Sequence, residues 1–247
     1  PAMVFNNLYH LIDREFLLEA YRQTPKSSAP GMDQVTAKPY AEHLDENLRD
    51  LQERLRTNRY VAPPVERVWI EKAGGKKRPR GKPCFEDKMV QRAVVMILEA
   101  IFAEDFHAFS HGFRKGHSPH QALHELREQC RTLHINWIVD ADVSGFFDNL
   151  DWDHLREFTQ QRVCDGGILR LIGKWLHAGV LEAGEVTYPD KGPPQGGVVS
   201  PIFANVFLHH VLDEWFVKDV HPRRQGPGFL TRCADDCIIG GEHEADA

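Results

Sequence analysis

The chain has 247 residues, 42% of them hydrophobic and 27% charged, which suits a globular protein with one large core or two smaller ones. Its net charge of −6 argues, as an average, against a polyanion partner, and no apolar run approaches the ~20 residues of a membrane helix. The start, Pro1-Ala2-Met3-Val4-Phe5, lacks a basic segment followed by an apolar one and does not read as a secretory signal; five scattered cysteines (Cys84, Cys130, Cys164, Cys233, Cys237) read as reduced thiols of a cytosolic protein. In chain order, apolar residues at helical spacing predict a helix over 5–22, and turn chemistry predicts a loop over 24–31. A second helix is predicted over 36–58, carrying Leu44, Leu48, Leu51 and Leu55, and ends at Pro63-Pro64. Residues 65–72 and 76–82 read as two strands of a hairpin turned by Gly74-Gly75. Helices follow over 86–104 and 118–132, the first with Met89, Val90, Val94, Ile97 and Leu98 on one face.

The pattern changes near residue 135. Ile135 to Asp142 reads as a buried strand ending in carboxylates, with helices after it over 151–163 and 167–178 and a strand over 180–188. Gly192-Pro193-Pro194-Gln195-Gly196-Gly197 reads as a tight loop into a long apolar helix over 200–217. Two short strands, 229–233 and 237–239, meet around Asp235-Asp236. The charge is asymmetric: ten Lys and Arg lie between Arg54 and Lys82 against only Glu66 and Glu71. A coarse boundary near 133 separates a basic first part, 1–133, from a carboxylate-bearing second part, 134–247, with interleaving of elements between them allowed.

Three carboxylates stand out. Alternation along a strand places Asp140 and Asp142 on one face, and charges at the end of an apolar strand are costly unless solvated, paired or bound to metal. Asp235 and Asp236 repel each other at a turn with Arg232 as their one neighbouring cation, a repulsion that a divalent metal relieves. Taken alone, each feature also fits a strand-end or capping aspartate and an Asp-rich turn, as Asp148 and Asp151 do. His209-His210 sits on an apolar helix without ligands at zinc spacing, and Cys233 and Cys237 read as ordinary thiols.

The order of these features resembles a reverse transcriptase of the bacterial group II intron lineage. Asp142-Val143-Ser144-Gly145-Phe146-Phe147-Asp148 is similar to its first palm motif, Pro194-Gln195-Gly196-Gly197-Val198-Val199-Ser200-Pro201 to its second, and Cys233-Ala234-Asp235-Asp236 to its third. Upstream, Lys76-Lys77-Arg78-Pro79 with Lys72, Phe85-Glu86-Asp87-Lys88 and Gly112-Phe113-Arg114 resemble its fingers, and Ala29-Pro30-Gly31-Met32-Asp33 its N-terminal extension. The resemblance implies an α+β right-hand polymerase fold of fingers and palm, the palm a ferredoxin-like antiparallel sheet with helices on one face. The chain stops soon after the third motif, so the primer grip and thumb are expected to lie outside it.

The implied activity is RNA-directed DNA synthesis by two-metal nucleotidyl transfer to a primer 3′-hydroxyl, with RNA template, DNA primer and deoxynucleoside triphosphates as partners, and intron RNA as a further one. Two Mg2+ ions are implied, Mn2+ being able to substitute, with Asp142, Asp235 and Asp236 as catalytic carboxylates and the Val143 carbonyl as a backbone ligand. Lys72 and Arg78 match positions that clamp the triphosphate; Gly145, Phe146, Phe147 and Gln195 match the nucleotide pocket. Within that set Phe147 is the expected ribose-sensing ring, and its neighbour Phe146 reads as core. Lys76, Lys77, Arg80 and Arg114 are expected on nucleic acid, with a structural ion pair an equal reading for Arg114. The resemblance implies a bacterial cytoplasmic setting and no membrane. Cys233 departs from the family, which has tyrosine there. A splicing-helper module that binds intron RNA is the alternative function. An RNA-templated RNA polymerase would carry Gly-Asp-Asp and no aromatic gate, and Ala234 and Phe147 argue against it.

Overall fold

A computed structural model describes residues 3–71, 75, 77–192 and 196–246. The chain folds into two compact units that interleave along the sequence. Unit one comprises Pro1–Ala100 and Phe147–Ser200; unit two comprises Ile101–Phe146 and Pro201–Ala247. No described helix is long and apolar enough to cross a membrane.

Unit one holds helices α1 (Arg14–Gln23), α2 (Ala37–Glu42), α3 (Leu44–Arg56), most of α4 (Phe85–Phe102), α7 (Trp152–Gln160) and α8 (Gly166–Leu176), with the short α6 (Phe146–Asn149) at its edge. Its sheet runs β2-β1-β4-β5, from β1 (Val65–Glu71), β2 (Lys77–Lys82), β4 (Val180–Glu182) and β5 (Glu185–Thr187). The β1–β2 and β4–β5 pairs are antiparallel, and β1 lies parallel to β4. The heart of the unit is α4, whose Phe85, Met89, Val90, Val94 and Leu98 are each at most 1% exposed. Each such side chain contributes ~1.5–3 kcal/mol by leaving water. Against this core sits a buried polar cluster. Asp87 accepts from Trp175 Nε1 and Gln91 Nε2, both at 2.8 Å, and from the Tyr60 hydroxyl.

The helix expected over 5–22 begins only at Arg14, where the Asp13 side chain caps it by accepting from Phe16 N–H. Upstream, the distant Asp165 carboxylate accepts from Leu8 and Tyr9 N–H at 2.6 and 2.9 Å, holding that segment out of the helix. The helix expected over 36–58 breaks at His43, whose φ −124°, ψ 36° is not helical. The strand expected over 180–188 is a hairpin. Ala183 and Gly184 both take positive φ, 51° and 90°, the pattern of a two-residue type I′ turn.

Unit two holds α5 (Pro119–Thr132), most of α9 (Ser200–Leu208) and an antiparallel sheet in the order β3-β7-β6, from β3 (Trp137–Asp142), β6 (Gly228–Cys233) and β7 (Asp236–Gly241). Ser118 caps α5 by accepting from Gln121 N–H, and α5 lies against β6 with Thr231 Oγ1 donating to Gln129 Oε1 at 3.3 Å. Two findings depart from expectation. The strand expected to be buried is an exposed edge strand, with Trp137 43% and Ile138 50% exposed. The long helix continues past 217 as two π-turns, His209–Asp213 and Phe216–Val220, and ends in a 3-10 turn, His221–Arg223.

Candidate active site

The turn between β6 and β7 carries the adjacent carboxylates. Cys233 pairs with Asp236, so Ala234 and Asp235 are the two turn residues. Ala234 takes φ 60° and Asp235 is not among the positive-φ residues, as a type II′ turn requires, although glycine is the preferred occupant of that first position. A sparsely populated backbone conformation of this kind costs an alanine on the order of 1–3 kcal/mol, and the surroundings hold it in place. A segment over 109–112 runs beside β6: Arg232 N–H donates to Phe109 O at 2.9 Å and His111 N–H to Arg232 O at 2.8 Å. Gly112 is required at the end of this segment, because a Cβ there would fall 2.1 Å from the Ala234 nitrogen.

Beneath the turn lies Arg232, which is fully buried. It donates to both Asp213 carboxylate oxygens at 2.7 Å, to Ser110 Oγ at 2.7 Å, to Asn205 Oδ1 at 3.2 Å and to the Ala234 carbonyl at 3.0 Å. Asn205 Nδ2 in turn donates to Gly112 O at 2.8 Å. The guanidinium therefore fastens the backbone of the turn to the helix below. It offers nothing to the neighbouring aspartates, which corrects the sequence reading of Arg232 as their local cation.

The carboxylates converge by strand register. β3 pairs with β7 so that Asp142 stands opposite Asp236, and Asp140 lies two residues back on the same strand face. Burial, then the charges of Asp235, Asp142 and Asp140, push the Asp236 carboxyl above its ordinary value. Asp142 and Asp236 are exposed and Asp235 is half-buried, so an ion from solvent can reach them. Hard oxygen donors whose charges act on one another at Asp236 suit a divalent metal of the magnesium class, although Asp142, Asp235 and Asp236 are not among the described groups with three donor atoms within 4.8 Å of one another. The Val143 carbonyl accepts from Phe146 N–H at 3.2 Å, opening α6, and a second lone pair remains for a ligand.

Lys77, Arg78 and Arg80 lie exposed on β2, with Arg78 opposite Ile70 and Arg80 opposite Val68, and alternation puts Arg78 and Arg80 on one face. Among the described residues none forms an ion pair with these three, whereas Lys82 pairs with Glu66 at 3.0 Å. Lys72, Lys76 and Gln195 lie outside the described residues. Phe146 is 6% exposed and its ring meets Phe207 edge-on at 6.0 Å, while Phe147 is half-buried. Gly145 is exposed at φ 62°. Arg114 donates to the carbonyls of His107 and Ser110 at 2.7 and 2.6 Å, so its guanidinium staples a loop through carbonyls.

In unit one the loop glycines are seated on protein backbone. A Cβ on Gly196 would fall 2.3 Å from Gly81 O, and one on Gly192 would fall 2.4 Å from Phe147 O. Beside them opens a cavity of about 370 Å³ lined by Arg67, Trp69, Gly81, Asp148, Lys191 and Gly192 among others. Sequence reasoning missed this cavity and the Arg232–Asp213–Asn205–Ser110 network. A lone arginine between apolar β residues was the available signal for the network.

A family model described as reverse transcriptase (RNA-dependent DNA polymerase) matches residues 70–247. Protein YkfC of Escherichia coli is 34% identical over 216 residues, 85% of this chain and 57% of that protein. The group II intron-encoded protein LtrA of Lactococcus lactis is 35% identical over 220 residues, 87% of this chain and 36% of that protein. This chain thus spans about half or less of the length of these relatives. Among solved structures, a partial Cas6-RT-Cas1–Cas2 complex matches with TM-score 0.55 and 22% identity over 95% of this chain and 38% of that one, a likeness of fold.

Proposed function

The chain belongs to the reverse transcriptase family, and from that membership we propose that it is the fingers and palm of an RNA-directed DNA polymerase. The observation that carries this reading is the pairing of Asp142 with Asp236 beside a turn that presents Asp235. In this reading unit two supplies the palm sheet. The proposed partners are an RNA template, a DNA primer, deoxynucleoside triphosphates and, by the resemblance to the group II intron lineage, intron RNA; the proposed setting is the bacterial cytoplasm.

Asp142 and Asp235 would hold two magnesium ions with the Val143 carbonyl, and Asp236 would add charge beside them. Metal held there would supply charge that lowers the pKa of the primer 3′-hydroxyl and offsets that of the departing pyrophosphate. The 3′-oxygen bonds to the α-phosphorus as the bond to pyrophosphate breaks, and the hydroxyl proton leaves to solvent. Asp235 is held for this task by the Arg232–Ala234 contact, which fixes the turn before substrate arrives. By family resemblance Lys72 and Arg78 bind the triphosphate, Gln195 and Gly145 line the nucleotide, and Phe147 excludes a ribose 2′-hydroxyl. Lys76, Lys77 and Arg80 supply nonspecific phosphate contacts. The cavity beside Trp69, with Arg67 and Lys191 at its walls, suits an unpaired template base, since aromatic and guanidinium faces take bases by stacking.

The test is incorporation on an RNA template by the full-length protein, deoxynucleotide against ribonucleotide. Wild type should strongly prefer deoxynucleotides, and Phe147→Val should admit ribonucleotides. Tight binding of structured intron RNA with no incorporation under any metal would overturn the polymerase reading in favour of a splicing helper.

A further inference from the structure

Unit two contains a second group of metal-competent side chains, made by a helix irregularity. His209 opens a π-turn that closes with the Glu214 N–H bonded to the His209 carbonyl. In an α-helix, residues five apart stand roughly 140° apart around the axis. The wider turn reduces that angle, and such turns gather at functional sites. His107, in the loop after α4, completes the group. Its Nε2 lies 2.7 Å from Glu214 Oε1, His209 Nε2 lies 3.9 Å from the same oxygen, and one donor atom from each of the three residues lies within 4.8 Å of the others. Donors bonded tetrahedrally to one ion at about 2.0–2.1 Å stand roughly 3.3 Å apart, inside this range.

A simple His107–Glu214 hydrogen bond, with Lys218 on the other Glu214 oxygen, accounts for part of the arrangement. It leaves His209 unexplained. That ring is 8% exposed, and its Nδ1 has no hydrogen-bond partner. A buried polar atom left unpaired costs about 1–3 kcal/mol. The Asp213 carboxylate stands 3.9 Å from that Nδ1, within a short adjustment of a hydrogen bond. Ligation through Nε2 places the proton on Nδ1 facing a carboxylate, the outer arrangement that orients metal-bound histidines.

We propose that His107, His209 and Glu214 bind a zinc ion, with solvent completing its shell. Two imidazoles and one carboxylate suit zinc and not magnesium, which prefers oxygen throughout. The ion would brace the loop bearing His107 against the helix. It would also reach the β6–β7 turn, because Asp213 is the same carboxylate that clamps Arg232, and Arg232 holds the Ala234 carbonyl.

The experiment titrates the metal-free full chain with Zn2+, and in parallel with Co2+, under excess Mg2+ that saturates the aspartates. We expect one equivalent of tight Zn2+, visible Co2+ absorption from nitrogen ligands, and the same binding in Asp142→Asn/Asp235→Asn. His209→Ala and His107→Ala should each weaken Zn2+ by about a hundredfold or more. X-ray absorption of the zinc-loaded wild type needs no variant to fold and should show two imidazoles in the shell. Unchanged affinity in a folded His209→Ala, no tight equivalent under Mg2+, or a shell of sulfur or of oxygen alone would overturn the proposal.

Discussion

Replacing Asp213 by asparagine removes one charge from a pair that solvent does not reach, both side chains being 0% exposed. The shape is kept, and asparagine still offers one acceptor, so two of the hydrogen bonds from Arg232 are altered and three remain. Breaking a buried pair by removing one partner costs about 3–5 kcal/mol, because the surviving charge has been taken from water without compensation. The retained acceptor places Asp213→Asn near the lower end, ~3 kcal/mol. A domain's whole stability is about 5–15 kcal/mol, so unit two should approach marginality. The assay is urea unfolding followed by a probe in unit two, where slopes of about 1–3 kcal/mol per molar translate the loss into a midpoint lower by roughly 1–3 M. A cost under about 1 kcal/mol for Asp213→Asn would refute the reasoning.

Gly112→Ala should displace the catalytic turn, since its Cβ would meet the Ala234 nitrogen at 2.1 Å. A shift of about 1 Å at a reacting group costs on the order of a hundredfold, to be read as kcat in primer extension with circular dichroism unchanged. Asp87→Asn should alter how stability depends on pH. Burial pushes the Asp87 carboxyl from 3.8 up to about 6, the donors Tyr60, Trp175 and Gln91 pulling the other way. The folded state thus holds this proton more tightly than the unfolded chain. Its contribution is complete below about pH 4 and lost as pH rises through about 6, a swing of up to ~3 kcal/mol. Denaturant melts across that range should show the stability difference between wild type and Asp87→Asn following this curve; a difference of opposite slope contradicts it.

Much of the fold was legible where local chemistry and packing agree. The period of Met89, Val90 and Val94 and the two carboxylates between apolar strands both produced the elements their patterns imply. What was not legible depends on residues far apart in sequence. Asp165 holds Leu8 and Tyr9 out of a helix from more than 150 positions away, which no periodicity near residue 8 encodes. The Ala183-Gly184 turn carried a usable glycine signal in a segment read as one strand. The apolar face of β3 reads as buried from composition alone, yet its place at a sheet edge leaves Ile138 exposed. At the site, the aspartates could be named from motif resemblance. The buried Arg232 and the π-turn that brings His209 to Glu214 could not, because a charge inside a core and a helix of altered pitch both oppose local rules.

Nucleotidyl transfer at this site requires the carboxylates to act together. The direct measurement is metal-dependent extension of a DNA primer on an RNA template by the full-length protein, wild type against Asp235→Ala. Loss of the carboxylate at the turn should lower the rate by about a thousandfold in Mg2+ and in Mn2+, with template binding retained. Extension by Asp235→Ala at the wild-type rate would contradict it.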